Sequence, residues 1–165
     1  LVQQVNGEFA ERFEGRNLDL ICILQPEPHL IRADSRRIWR VLENLYVNVC
    51  KYAMPGTRVY VDAIKKDGKI QFSIKNISEN PLNFQADELT ERFIRGDVSR
   101  STEGSGLGLS IAKNLTVLQH GTFNIYLDGD LFKVTITFDE AVKEKKPMPP
   151  MIVPEPVREE AQQDV

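Results

Sequence analysis

The spacing of apolar residues changes several times along this chain, and each change marks an element. Val2, Val5, Phe9 and Phe13 recur at helical intervals and predict a short helix with no clear cap at its start. "LDLICIL", Leu18 to Leu24, reads as a buried strand, and "HLIRA" as a short second one. Asp34 is placed to cap a helix that runs to about Tyr52, where "MPGT" ends it. "TRVYVDAI" and "KIQFSIKN" then alternate as strands do, joined across Lys66-Asp67-Gly68, an Asp-Gly hairpin signal. From Ile77 to Gly106 the chain is polar and weakly periodic, with one short helical stretch, "ADELTERF". Leu107, Ile111, Leu115 and Leu118 resume helical spacing, with Leu109 and Ala112 beside them, up to a stop at Gly121. "TFNIYL" and "LFKVTITF" predict a second hairpin about Asp128-Gly129-Asp130. The order predicts an α+β fold: a two-layer α/β sandwich in which helices cover one face of a mixed, mainly antiparallel sheet.

Composition narrows this only slightly. The 165 residues are 41% hydrophobic and 27% charged, as in a globular domain with one sizeable core. A formal charge of -3 gives no general reason to bind nucleic acid or an anionic membrane, and no apolar run is long enough to span a bilayer. Cys22 and Cys50 match no metal or redox spacing and are expected to be core thiols in a reducing compartment. His29 and His120 each stand alone and read as structural. Beyond Asp139, "EKKPMPPMIVPEPVREEAQQDV" mixes charge with five prolines and is expected to be a disordered tail.

Two groups of residues invite chemistry. Gly104, Gly106 and Gly108 lead into the last predicted helix, whose unpaired N–H groups and positive dipole end suit a phosphate. The spacing fits neither the Walker loop, which needs Gly-Lys-Ser/Thr, nor the dinucleotide fingerprint, and a plain turn explains these glycines nearly as well. On the Asp34-capped helix, Ile38, Val41, Leu42, Leu45 and Val49 form a core-facing sector, and Asn44, Asn48 and Lys51 form a narrow polar stripe beside it. Solvated side chains at a helix edge would look the same. Yet two amide oxygens and a cation converging on one place suit Mg²⁺ and phosphate, since Mg²⁺ keeps most of its waters and needs few protein oxygens.

These residues also carry a family resemblance. "RVLENLYVNVCKY" resembles the N box of bacterial sensor histidine kinases, "ERFIRGD" their F box, and "GSGLGLSIAKNL" their second glycine box, in the family's order. The resemblance covers roughly Leu1 to Asp139 and implies the Bergerat (GHKL) ATP-binding fold shared with gyrase, MutL and certain chaperones. By residue, it implies that Asn48 coordinates Mg²⁺, that Asn44 supports the nucleotide beside it, and that Lys51 and Tyr52 contact phosphate or ribose. Gly104, Ser105, Gly106, Leu107 and Gly108 become the phosphate side of an ATP pocket, and Arg95 a cation near the terminal phosphate, with Phe93 packed under a lid formed by "RGDVSRSTEGS". The first glycine box departs from the pattern. Where the family has Asp-x-Gly-x-Gly, this chain has "KNISEN", which puts Asn76 at the adenine-binding Asp and no glycine at the next two places. Asn76 keeps an acceptor oxygen but loses charge-assisted strength.

The resemblance implies a catalytic domain that transfers the γ-phosphoryl of Mg-ATP to a histidine on a separate dimerisation domain, for relay to a response regulator. Neither His29 nor His120 lies in an acceptor-like context, so the phosphoacceptor is expected outside this chain. Residues 1–16 are then the end of a linker helix from the dimerisation region, 17–139 the catalytic domain and 140–165 the tail, in the cytoplasmic part of a homodimeric membrane sensor. A non-catalytic ATP-gated interaction module and a serine-phosphorylating relative are the alternatives.

Overall fold

The computed structural model describes residues 1–27, 29–82 and 107–141. The short helix expected at "ADELTERF" and the tail beyond 141 fall outside these residues. Three helices, α1 (Val2–Gly15), α2 (Ser35–Tyr52) and α3 (Gly108–Val117), accompany five strands, β1 (Asp19–Leu24), β2 (Arg58–Lys66), β3 (Lys69–Ile77), β4 (Thr122–Asp128) and β5 (Leu131–Asp139). The strands form a single sheet in the order β1-β2-β3-β5-β4, with β1 parallel to β2 and the remaining neighbours antiparallel. This is the mixed, mainly antiparallel sheet that the alternation of the sequence predicts.

Both hairpins turn through two residues, for different reasons. Asp67 and Gly68 both have positive φ, 51° and 71°, the twist that matches the flanking strands β2 and β3. Between β4 and β5 positive φ falls on Gly129 alone, at 54°, so only the first turn position needs glycine. Along β5, Phe132, Val134, Ile136 and Phe138 are buried while Lys133, Thr135 and Thr137 are only partly covered. The period-2 pattern therefore selects the face that meets the helices.

α2 is the central helix of the covering layer. The Asp34 carboxylate caps it, accepting from the backbone N–H of Arg36 at 2.9 Å and of Arg37 at 3.1 Å, and these bonds hold its pKa below the ordinary value. Ile38, Val41, Leu42, Leu45, Tyr46 and Val49 are all buried, the expected sector with Tyr46 added. Tyr46 turns toward α1, where its ring lies 5.3 Å from Phe9 and stacks nearly parallel on Phe13 at 5.8 Å. Its hydroxyl donates to Asn6 Oδ1, and burial pushes its pKa well above the ordinary phenol value. At the end of α1, Arg16 donates to the Ala53 carbonyl at 3.0 Å and pairs with Glu79 at 2.9 Å, tying three segments together.

Several sequence expectations need correction. β1 is an edge strand whose hydrogen-bonded neighbour is β2, so its continuous apolar run is not a buried one: Ile21, Cys22 and Ile23 are exposed. Cys22 is therefore no core thiol, and Cys50 is half-buried, its pKa raised chiefly by burial. "HLIRA" forms no strand, only an isolated bridge between Ile31 and Glu140. On α3 the buried side chains are Leu109, Ser110, Ala112 and Thr116, whereas Leu107 and Leu118 are exposed. Small residues let α3 lie close to its neighbours, and the Thr116 hydroxyl stays satisfied by donating to the Ala112 carbonyl at 2.8 Å.

Gly121 ends α3 for a reason other than a left-handed turn. His120 carries the positive φ, 63°, while a Cβ on Gly121 would lie 2.6 Å from the Phe138 ring and 2.8 Å from Thr116 Cγ2. Gly121→Ala should therefore destabilise the protein by roughly 1–3 kcal/mol, the cost of overpacking. Gly7→Ala, with nothing within 4 Å of the new Cβ, should stabilise α1 by about 0.5–1 kcal/mol. Urea midpoints of the two variants should move in opposite directions, and an unshifted Gly121→Ala would count against the close contact.

Candidate functional site

The C-terminal end of α2 is fastened to the end of β3 by backbone bonds. Met54 N–H donates to the Ile77 carbonyl at 2.9 Å and Glu79 N–H to the Tyr52 carbonyl at 2.8 Å, around a bridge between Ala53 and Ser78. Ser78 N–H donates to the Asp130 carbonyl at 2.7 Å, which adds the β4–β5 turn to the same corner. Asn76, the penultimate residue of β3, is thereby held beside the last turn of the helix that carries Asn44, Asn48, Lys51 and Tyr52.

Asn76 is the most informative residue here. It is 3% exposed and shares the alternation of Ile70, Phe72 and Ile74, so its side chain enters the space between sheet and helices. Nδ2 donates to the Ile77 carbonyl at 3.1 Å, while Oδ1 is buried with no hydrogen-bond partner. A buried amide oxygen without a donor costs about 1–3 kcal/mol. It remains an acceptor ready for a ligand donor.

The polar stripe on α2 has divided environments. Asn44 is half-buried, its Nδ2 donating to the Arg40 carbonyl at 2.7 Å within the helix, which leaves Oδ1 turned toward the start of α3. A Cβ on Gly108 would lie 3.2 Å from that oxygen, so the glycine allows the two helices to approach here. Asn48 is half-buried, whereas Lys51 and Tyr52 are exposed at the mouth. α3 begins with Leu107 at its N-cap, with neither a side-chain cap bond nor an acidic residue in its first turn. α2, in contrast, is capped by Asp34, and a helix start without such a cap offers N–H groups and a positive dipole end of the kind that suit an anion. The structure thus places Lys51, Tyr52 and Asn76 at one end of the sandwich, with Asn48 about one turn back along α2 and Asn44, at mid-helix, facing the start of α3 at Gly108. Arg95, Gly104, Ser105, Gly106, Phe93 and the expected lid lie outside the described residues.

The family of histidine kinase-, DNA gyrase B- and HSP90-like ATPases matches residues 33–142, which include both α2 and α3. The chain belongs to this family. Among curated relatives it is similar to the signal transduction histidine-protein kinase BaeS of Escherichia coli, 30% identical over 123 residues that make up 73% of this chain and 26% of BaeS. Its fold is similar to the solved catalytic domain of histidine kinase ThkA, with a TM-score of 0.72 at 22% identity, covering 84% of this chain and 90% of that one. Full-length ShkA in complex with AMPPNP has a TM-score of 0.69 at 21% identity, covering 84% of this chain and 29% of ShkA. The chain spans about a quarter of the BaeS sequence. It is thus an ATP-binding domain of the sensor histidine kinase family, and among its described residues no helix is long and apolar enough to cross a membrane.

Sequence reasoning did not find the Arg16 clamp or the role of Gly108 as spacer to Asn44. An arginine after a helix and a glycine at a helix start each have commoner explanations, and their partners lie far away in sequence. Asn76→Leu should leave the melting temperature of the nucleotide-free protein unchanged or raise it, because it removes an unpaired buried oxygen. The same substitution should abolish stabilisation by ATP. Because the substitution also removes the Nδ2 bond to Ile77, a loss of more than about 2 kcal/mol in denaturant unfolding would show that Oδ1 already has a partner.

Proposed function

We propose that this domain binds Mg-ATP at the corner formed by α2, β3 and the start of α3, and transfers the γ-phosphoryl to a histidine on a separate dimerisation domain, for relay to a response regulator. The unpartnered, buried Oδ1 of Asn76 carries the reading, since adenine presents an amino donor to such an acceptor while guanine presents a carbonyl oxygen. Asn48 supplies an oxygen ligand to Mg²⁺, and Asn44 supports the nucleotide beside it. Mg²⁺ keeps most of its waters and shares phosphate oxygens, so one protein amide can suffice. Bound there, Mg²⁺ neutralises charge on the phosphates.

In the same proposal Lys51 and Tyr52 act at the phosphate and ribose, Arg95 steadies the terminal phosphate, and the Gly104 to Gly108 loop with the uncapped N–H groups of α3 receives the phosphate oxygens. Phosphoryl transfer asks for alignment and charge neutralisation rather than covalent help from the protein, and these groups supply both. The parent protein is proposed to be a homodimeric membrane sensor, with this domain in the cytoplasm and residues 1–16 continuing a helix from the dimerisation region. The neutral acceptor at Asn76 favours a second reading, an ATP-gated module without transfer, because an amide binds adenine less strongly than a carboxylate does.

Asn48→Ala should lower Mg-dependent ATP affinity with little change in melting temperature. Calorimetric titrations that match the parent protein would remove Asn48 from the metal site. Incubated alone with radiolabelled ATP and Mg²⁺, the domain should gain essentially no acid-labile phosphohistidine. Given its own dimerisation helices in trans it should label them, slowly, because no tether raises the effective concentration. Tight ATP binding without labelling of the helices would favour the ATP-gated module.

A further inference from the structure

The opposite end of the sandwich holds a cavity of about 380 Å³. Ile70 and Phe72 of β3, Ile136 and Phe138 of β5, and Ile38 and Leu42 of α2 form its floor and walls. Ile70 lies six residues before Asn76 along β3, so the cavity is about 20 Å from the acceptor oxygen and separate from the nucleotide corner. A cavity of roughly 300–1,000 Å³ is the size that holds a compact apolar ligand or a short peptide segment. The ring of His29 also lines it, and its Nε2 is buried without a hydrogen-bond partner. An apolar wall with one orphaned polar atom suits an occupant that brings apolar side chains together with a backbone N–H or C=O.

The last described residue lies at the rim of this cavity. Ala141 N–H donates to the carbonyl of Leu30, a lining residue, at 2.8 Å, and Glu140 bridges Ile31, another. Seven residues farther on, within a reach of about 23 Å, the sequence reads Met148-Pro-Pro-Met151-Ile152-Val153. Residues 154–165 then carry Glu155, Glu159, Glu160 and Asp164 against a single Arg158. Arg32, Arg36, Arg37 and Arg40 are exposed and interleave in sequence with the lining residues Ala33, Ser35 and Ile38. Of these four only Arg37 makes an ion pair among the described residues, a long one of 4.0 Å to Asp34.

We propose that the apolar segment Met148 to Val153 of this chain's own C-terminal stretch seats in the cavity beside His29, and that the acidic residues after it lie against the arginines at the start of α2. Prolines at 147, 149, 150 and 154 remove N–H groups that would otherwise need partners and stiffen the segment, which lowers the entropy lost on docking. The attachment at Ala141 makes the encounter intramolecular, so moderate contacts suffice.

The test compares the full chain with its Met151→Asp/Ile152→Asp variant by amide hydrogen exchange. Leu30, Ile31 and Ala33 should exchange about tenfold faster in the variant while residues 74–78 stay unchanged, and a peptide of residues 146–165 added to the variant should restore the protection. Reversing Arg32 and Arg36 to Glu should also speed exchange at the rim, and adding Glu159→Arg/Glu160→Arg to that variant should reverse the effect. Equal exchange in parent and tail variant would overturn the proposal. Protection that fades on dilution would also overturn it, since the occupant would then be the tail of a second copy.

Discussion

The backbone seam between the end of α2 and the end of β3 is the constraint on which the proposed nucleotide corner depends. Met54, Ile77, Glu79 and Tyr52 exchange main-chain bonds there, so the position of Asn76 relative to the α2 stripe is set by peptide groups rather than by the side chains of the site. The site residues are thereby freed from structural duty. Asn76 leaves an oxygen unpaired, and the first turn of α3 has no side-chain cap. Such local imperfections persist where the surrounding frame determines them, and they mark a place adapted to a ligand.

Packing supports the seam from behind. Tyr46, stacked on Phe13 and against Phe9, fixes the rotation of α2 about its axis and with it the direction of the Asn44 and Asn48 stripe. Buried aromatic and branched side chains each contribute about 1.5–3 kcal/mol by leaving water, far more than a partly exposed ion pair such as Arg16–Glu79, worth about 0–1 kcal/mol. The Arg16 clamp therefore adds position rather than much stability.

Strongly periodic elements were legible in the sequence. α2, its Asp34 cap and both hairpins appear where spacing and turn residues place them, because each signal is local. The three boxes also marked the family, although their middle portion lies beyond the described residues. Legibility failed where tertiary neighbours decide. The apolar run of β1 reads as buried, but its position at the sheet edge leaves Ile21 and Ile23 facing outward. Besides Leu109, α3 buries the small Ser110, Ala112 and Thr116, in keeping with its close approach to α2 at Gly108, and no periodicity within one helix announces a neighbour's distance. The departure at Asn76 was visible as a letter, whereas its unpaired oxygen required the fold.

The strand order also bears on how the molecule forms. β2 with β3, and β4 with β5, are hairpins closed by two-residue turns and can form early from local contacts. The central pairing of β3 with β5 joins Lys69 to Asp139 and Asn76 to Phe132, and it must wait for a long loop to close. Asn76 belongs to this late junction. Because β3–β5 is the pairing with the largest separation along the sequence in this sheet, whatever opens β3 from β5 is expected to dissolve the corner around Asn76 before it disturbs either hairpin.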